Sequence, residues 1–563
     1  MLDPAPKPTP GVVRSEPCLK KDAPPELVES IQRIEHRADR CFHSLKILEL
    51  PPDVALWSLL VGGVHLVERE IDMRGEDTAH LDATLVNTSS LVSTAIKWVV
   101  KSERHSSATV CRKWTLDLAA KVDAAVALAH NYGGFLNILP MWHKNRCRVE
   151  LLSPNRARFT VVGSDVDRRV SGYQKGFRPK TGCHRGERGK KLAPTATVND
   201  LFEKAYADLT PLGDLGFLCS DPWKLWVELL PEYKLRVEAI SRRDDALSLG
   251  DYTLREFKRF YAAFLAVCAT REHLCFAWHK NYGRYPSESV VMIRTLEDWS
   301  KTLSNLAGVK ASLCRSIIRD ITFNFSSSPN LHVSPFVPLD SSWTQLAVAP
   351  HFPLHSRLDE NILWVCSKLR AAQFDATSVM KEPEMYAALE KICSRYLPQG
   401  AIRLPNPNPD IDLLLTDEDS STVMIAELKW IRKPTKSFER IRSDEDVLKG
   451  FDQLRKIRRF LEQNPNHLVS IRKLPKPLRE YHNVQYAVIA RDHWVWVPPS
   501  ADGAIFTYDA FAACVNRCPS LKDAIEGLLT YDWLPVEARD YAVKYDESYA
   551  DGVVIETETY YAL

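Results

Sequence analysis

The apolar positions of this chain fall into two regimes. From about residue 27 to 146 they recur at helical spacing, as in the stretch 93–100 and the Ala-rich run 116–130. Two short alternating stretches, 148–152 and 157–162, predict a hairpin. Helical spacing resumes from 198 to about 320, with 254–279 clearly amphipathic. An irregular passage through Pro335, Pro338, Pro350 and Pro353 follows, and 359–371 closes the region as a helix. Past 380 the pattern changes to short apolar runs between polar turns. It predicts a helix at 383–396, strands at 401–404, 410–416 and 422–430, a helix at 444–462 and a strand at 484–490.

That order requires a small mixed sheet with flanking helices, so the expected fold class is α+β or α/β: a mainly helical N-terminal region, then a compact mixed-sheet domain. The expected division is a disordered Pro-rich tail at 1–26, a helical region at 27–375, the sheet domain at 376–502 and a helix-rich, partly acidic appendage at 503–563. The helix at 444–462 opens on Ser443 with Asp446 three residues on, a capping pattern. Leu448, Phe451, Leu454, Ile457 and Leu461 form its apolar stripe.

Composition narrows the function classes. A chain of 563 residues, 45% hydrophobic, can bury a large core divided into two or more domains. The net charge of +2 excludes a chain that is basic throughout, so any nucleic-acid footprint must be local. Thirteen cysteines without a paired C-x-x-C spacing argue against zinc and for reduced thiols in a cytoplasmic protein. The first 25 residues have no apolar segment of a signal peptide, and no run of 18 apolar residues occurs, so no membrane partner is expected. His351 and His355 have helical ligand spacing, but Pro353 between them speaks against one helix face.

The chemical signal lies in the second regime. Pro409-Asp410-Ile411-Asp412-Leu413-Leu414-Leu415 is followed by the polar turn 417–421 and then by Val423-Met424-Ile425-Ala426-Glu427-Leu428-Lys429-Trp430. With period-two alternation, Asp412 lies on the face opposite Ile411 and Leu413, while Ile425, Glu427 and Lys429 share one face. Two carboxylates on adjacent strands are the hard oxygen ligands magnesium takes. A divalent cation neutralises a phosphodiester and acidifies the attacking water, and a lysine beside it supplies a mobile positive charge for phosphate oxygens. Read alone, Glu-x-Lys is a common surface pair. Asp-x-Asp alone is also a motif of metal-dependent glycosyltransferases, but there it follows an apolar strand, whereas here it precedes one.

Pro409-Asp410-Ile411-Asp412 with Glu427-Leu428-Lys429 resembles the PD-(D/E)XK nuclease superfamily, which has the restriction-endonuclease-like fold, and within it the Holliday-junction-resolvase-like branches. The resemblance covers about 380–500, roughly a quarter of the chain. It implies a metal-dependent nuclease, an endonuclease rather than an exonuclease, acting on DNA with Mg2+ or, in its place, Mn2+. Asp412 and Glu427 would hold the metal with the Leu428 carbonyl, and Lys429 would act on the nucleophile. The position directly after Pro points to Asp410, alignment with Glu427 points to Asp412, and both stay candidates. Glu390, on the helix upstream, is similar to the acidic helix residue that joins the metal in several branches, and Gln453 to the site-facing Gln of related nucleases.

Two basic stretches are candidates for backbone contact. Around Gln453 the helix carries Lys449, Arg455, Lys456 and Arg459, and the segment 168–191 holds nine Lys/Arg, among them Lys175, Arg178, Lys180 and Arg185, against one acid. Tyr173 and Phe177 are interleaved, a combination suited to phosphates and bases. For both stretches the plain alternative is a solvated basic surface. The N-terminal region would recognise substrate or a protein partner. The rival reading is a nucleic-acid-binding or assembly protein that keeps the nuclease fold without turnover.

Overall fold

The computed structural model describes residues 16–74, 78–102, 112–161, 169, 202–204, 209–211, 217–219, 222–240, 248–283, 286–326, 330–340, 342–354, 381–431, 437–491 and 503–562. The protein is mixed α and β, with both parallel and antiparallel strand pairs, and divides into two compact units interleaved in sequence. One comprises Asp39–Gly133 and Gly189–Thr377; the other comprises Met1–Ala38, Gly134–Arg188 and Ser378–Leu563. The expected contiguous helical region thus contributes to both units. No helix among the described residues is long and apolar enough to cross a membrane.

The first unit is built on the helices Pro52–Arg74, Thr78–Lys101, Trp223–Ile240, Leu254–Tyr282, Leu296–Ala307 and Ala311–Asp320. Leu254–Tyr282 starts on a capping box, Thr253 and Glu256 satisfying each other's backbone N–H, and ends at Gly283 in the left-handed conformation. Its Phe257, Phe260 and Phe264 enter one core with Trp299 and Phe336. His351 starts the single turn His351–Leu354, which contains Pro353; its Nε2 stands 3.2 Å from Glu68 Oε1 and 3.4 Å from Glu272 Oε1. His355 lies outside the described residues.

The second unit holds two sheets. In the four-stranded one Cys147–Ser153 pairs antiparallel with Arg156–Val161, the hairpin expected from sequence, and Val553–Ala562 runs parallel to Arg156–Val161 on its far side. Tyr541–Ala550 completes it as the antiparallel partner of Val553–Ala562. The five-stranded sheet has the spatial order Ala504–Thr507, Asn483–Arg491, Thr422–Trp430, Ile411–Asp417, Gln399–Ile402. Thr422–Trp430 pairs antiparallel with Ile411–Asp417 across the turn, and parallel with Asn483–Arg491 through the crossover helix Ser437–Gln463 that a parallel pair needs. Residues 411, 413–417 and 422–428 are all buried, so both faces of the two hairpin strands are covered, which explains their nearly unbroken apolar runs. Ser437–Gln463 packs on the central strands, while Lys381–Ile392 packs on the sheet together with Tyr508–Arg517.

Three expectations are corrected. Residues from 503 are not an appendage: Ala504–Thr507 is the fifth strand, Tyr508–Arg517 and Leu521–Leu529 bury their apolar faces in the same core, and 541–562 is a hairpin. Ala504–Thr507 runs into the helix Tyr508–Arg517 with no turn between them, so its apolar residues read as part of that helix. The crossover helix begins at Ser437, not at a Ser443 cap, because Ser443 and Asp444 are buried inside it. Its stripe uses Val447, while Leu448 is exposed.

Candidate active site

The antiparallel register pairs Val423 with Thr416, Ile425 with Leu414 and, last, Ala426 with Leu413. One step further sets Glu427 opposite Asp412, and directly opposed residues share a sheet face. The ladder stops there, and the Leu428 N–H instead donates to Asp412 Oδ2 at 2.8 Å, so a side chain satisfies a backbone donor the sheet leaves over. Lys429 Nζ donates to Glu427 Oε1 at 2.6 Å. Lys429 keeps 16% of its side chain exposed and Glu427 only 2%. Glu427 Oε2 is buried and accepts no hydrogen bond.

Burial and the facing Asp412 carboxylate push Glu427 up to about 8, against the pull of the Lys429 ammonium. Burial also raises Asp412, opposed by the Leu428 N–H and Lys429. A buried and a half-buried carboxylate therefore share one ammonium. This donor set, two facing carboxylates in excess over one ammonium and hydrogen-bonded to each other, offers the hard oxygens a divalent cation takes. The other expected ligands are exposed. Asp410 lies just ahead of the strand, near enough for its charge to raise Asp412, and Glu390 lies on Lys381–Ile392, where it accepts the Tyr386 hydroxyl at 3.2 Å. Among the described residues no three His, Cys, Asp or Glu side chains gather to hold a metal.

The crossover helix lies over this pair. A Cβ built on Gly450 would meet Val488, Lys429 and Glu427, so the helix backbone itself touches the site. Gln453 is half-buried three residues further on. Gly450 leaves one trace in the sequence, a glycine in a helix interior, and the Asp412–Leu428 bond leaves none. On the outer face, Lys449 pairs with Asp446 and Arg455 with Asp452, each at 2.9 Å, while Lys456 and Arg459 are exposed. Half of the expected basic face is thus neutralised within its own helix. Lys175, Arg178, Lys180 and Arg185 lie outside the described residues. Arg169, of the same stretch, is buried and donates to the carbonyls of Tyr531, Leu534 and Pro535. That residue holds the fold rather than a phosphate.

Compared with known proteins, this chain matches no family model, no curated protein and no solved structure.

Proposed function

We propose that the second unit is a metal-dependent nuclease of the PD-(D/E)XK type, hydrolysing phosphodiester bonds, with DNA favoured by the resemblance of its motif. The observation that carries the reading is the juxtaposition of Asp412 and Glu427 across two strands with Lys429 on Glu427. Asp412 and Glu427 would hold Mg2+ or Mn2+, which when bound supplies charge neutralisation and a more acidic water. The Leu428 N–H orients the Asp412 carboxylate, and the helix over Gly450 keeps bulk water from Glu427. The Lys429 ammonium pulls Glu427 toward its ionised form, against burial and Asp412, and brings a positive charge to where a phosphate oxygen would approach. Gln453 would border the substrate, and Lys456 and Arg459 would follow its backbone. The first unit would recognise substrate or a protein partner. Cys41, Cys147, Cys268, Cys275, Cys314, Cys393 and Cys514 are buried free thiols, which suits the reducing cytoplasm.

One observation favours a second reading, a protein that keeps this fold to bind nucleic acid without cutting it: the pair lacks a third carboxylate among the described residues. One assay decides. Linear, nicked, branched and single-stranded DNA, and RNA, are incubated with Mg2+ or with chelator. Cleavage that needs the metal and is lost in Glu427→Gln supports the nuclease; binding without cleavage of any substrate supports the second reading.

A further inference from the structure

We infer that Gly450 is a positioning residue: its missing side chain lets the crossover helix lie directly on the Lys429 stem and so fixes the ammonium on Glu427. This rests on the reading of Asp412, Glu427 and Lys429 as the reacting site.

The argument begins with what Gly450 is not needed for. It lies inside the Ser437–Gln463 helix, and its backbone is not among the left-handed glycines, so no turn or cap requires it. A helix interior disfavours glycine relative to alanine. Only space explains it. A Cβ at this position would stand 3.1 Å from Val488 Cγ2, 3.3 Å from Lys429 Cε and 3.5 Å from Glu427 Cγ. The first two are closer than the roughly 3.5–4.0 Å at which carbons attract each other best.

Lys429 Cε is the atom that carries the ammonium. A lysine stem is flexible and loses rotamer freedom when held. Here the helix backbone lies close along one side of the stem, Val488 packs beside Gly450, and the amine meets Glu427 at 2.6 Å. A methyl group on residue 450 would displace Cε by a few tenths of an ångström or lift the helix. Either change loosens the Lys429–Glu427 pair.

Because Val488 Cγ2 is the nearest atom, trimming Val488 should make room again. The test uses the full chain as wild type, Gly450→Ala, Val488→Ala and the double variant. Lysine amines are pulse-labelled with a small acylating reagent and read by mass spectrometry, with exposed Lys456 as the internal standard. Cleavage of duplex DNA with Mg2+ and calorimetry with Mn2+ follow. The expected result for Gly450→Ala is Lys429 labelling at least fivefold faster, cleavage at least tenfold slower and Mn2+ affinity within threefold of wild type. The double variant should recover both labelling and cleavage. Unchanged Lys429 labelling in Gly450→Ala overturns the inference, as does a loss that Val488→Ala does not reverse. A Gly450→Ala chain that does not fold also overturns it, unless the double variant folds with wild-type labelling. If wild type neither cuts nor binds Mn2+, the proposed reaction fails, and the labelling alone then decides whether Gly450 holds Lys429.

Discussion

Lys429 reaches two residues back along its own strand to place Nζ 2.6 Å from Glu427 Oε1, although that side chain is only 2% exposed and already faces Asp412. A single ammonium cannot neutralise two carboxylates held this close, so below about pH 8 the cluster keeps a proton on Glu427 that a cation would displace.

The two charge types should separate on mutation. Lys429→Ala is expected to abolish cleavage while Mn2+ binding persists, whereas Asp412→Asn loses both, because ligands and a charge that acts on the reacting group do different work. Calorimetry beside a cleavage assay reads it. Wild-type turnover by either variant removes the assignment.

The raised Glu427 gives a pH dependence whose sign can be worked out. Its folded value, about 8, lies above the ordinary 4.5 of an unfolded glutamate. Between these values the folded chain holds a proton the unfolded chain has lost, so this group's contribution is complete below about 4.5 and declines until about 8. The slope is at most about 1.4 kcal/mol per pH unit. Glu427→Gln should remove the decline, so its denaturation midpoint gains on wild type as pH rises from 5 to 8. Parallel curves for the two proteins would refute the shift. Mn2+ added at pH 7 should release a proton from wild type and not from Glu427→Gln.

His351 titrates in the other unit. Its burial alone would lower it, but Glu272 and Glu68 outweigh burial and hold it raised above the ordinary 6.5. For a raised histidine the stabilisation is complete below the unfolded value and is lost as pH climbs through the folded one. His351→Gln should therefore destabilise the chain most near pH 6 and progressively less in alkali. Melting curves across pH check this; a penalty that grows with pH would contradict it.

Backbone capture should show in salt dependence. Each phosphate contact contributes about 0.9 to the log–log slope on duplex DNA. Replacing Lys456 and Arg459, which are exposed, should flatten the slope more than replacing Lys449 and Arg455, which are engaged by Asp446 and Asp452. Equal effects would show that the intrahelical pairs do not compete with phosphate. Replacing Lys175, Arg178, Lys180 and Arg185 together measures the other stretch, and an unchanged slope there would make it a solvated connector.

The legible parts of this chain were those where one local pattern decides. The facing of Asp412 and Glu427 follows from period-two alternation and a five-residue turn, and the crossover helix from its apolar stripe. Asp410 and Glu390 rest on motif resemblance, which carries no information about where a side chain ends up, and both are exposed. Ala504–Thr507 was illegible because no polar turn separates it from the helix Tyr508–Arg517 that follows. The start of the crossover helix was misplaced because Ser443 carries the residue type of a cap in a position where it is buried. Gly450 was invisible for another reason: the atoms it makes room for, on Lys429 and Val488, are brought there by tertiary structure alone.

The parallel pairing of Val554 with Arg156 has a temporal consequence. A chain made from its N-terminus emerges at about 5–20 residues per second, so residues 147–161 wait for some 20 seconds or more before the strand that pairs with them exists. Every segment of the unit formed by Asp39–Gly133 and Gly189–Thr377 is available well before then. That unit can complete its core while the ribosome is still at work, whereas the unit bearing Asp412, Glu427 and Lys429 must keep an edge of Arg156–Val161 open until Val553–Ala562 is made. During synthesis that open edge is exposed to pairing with the wrong strand.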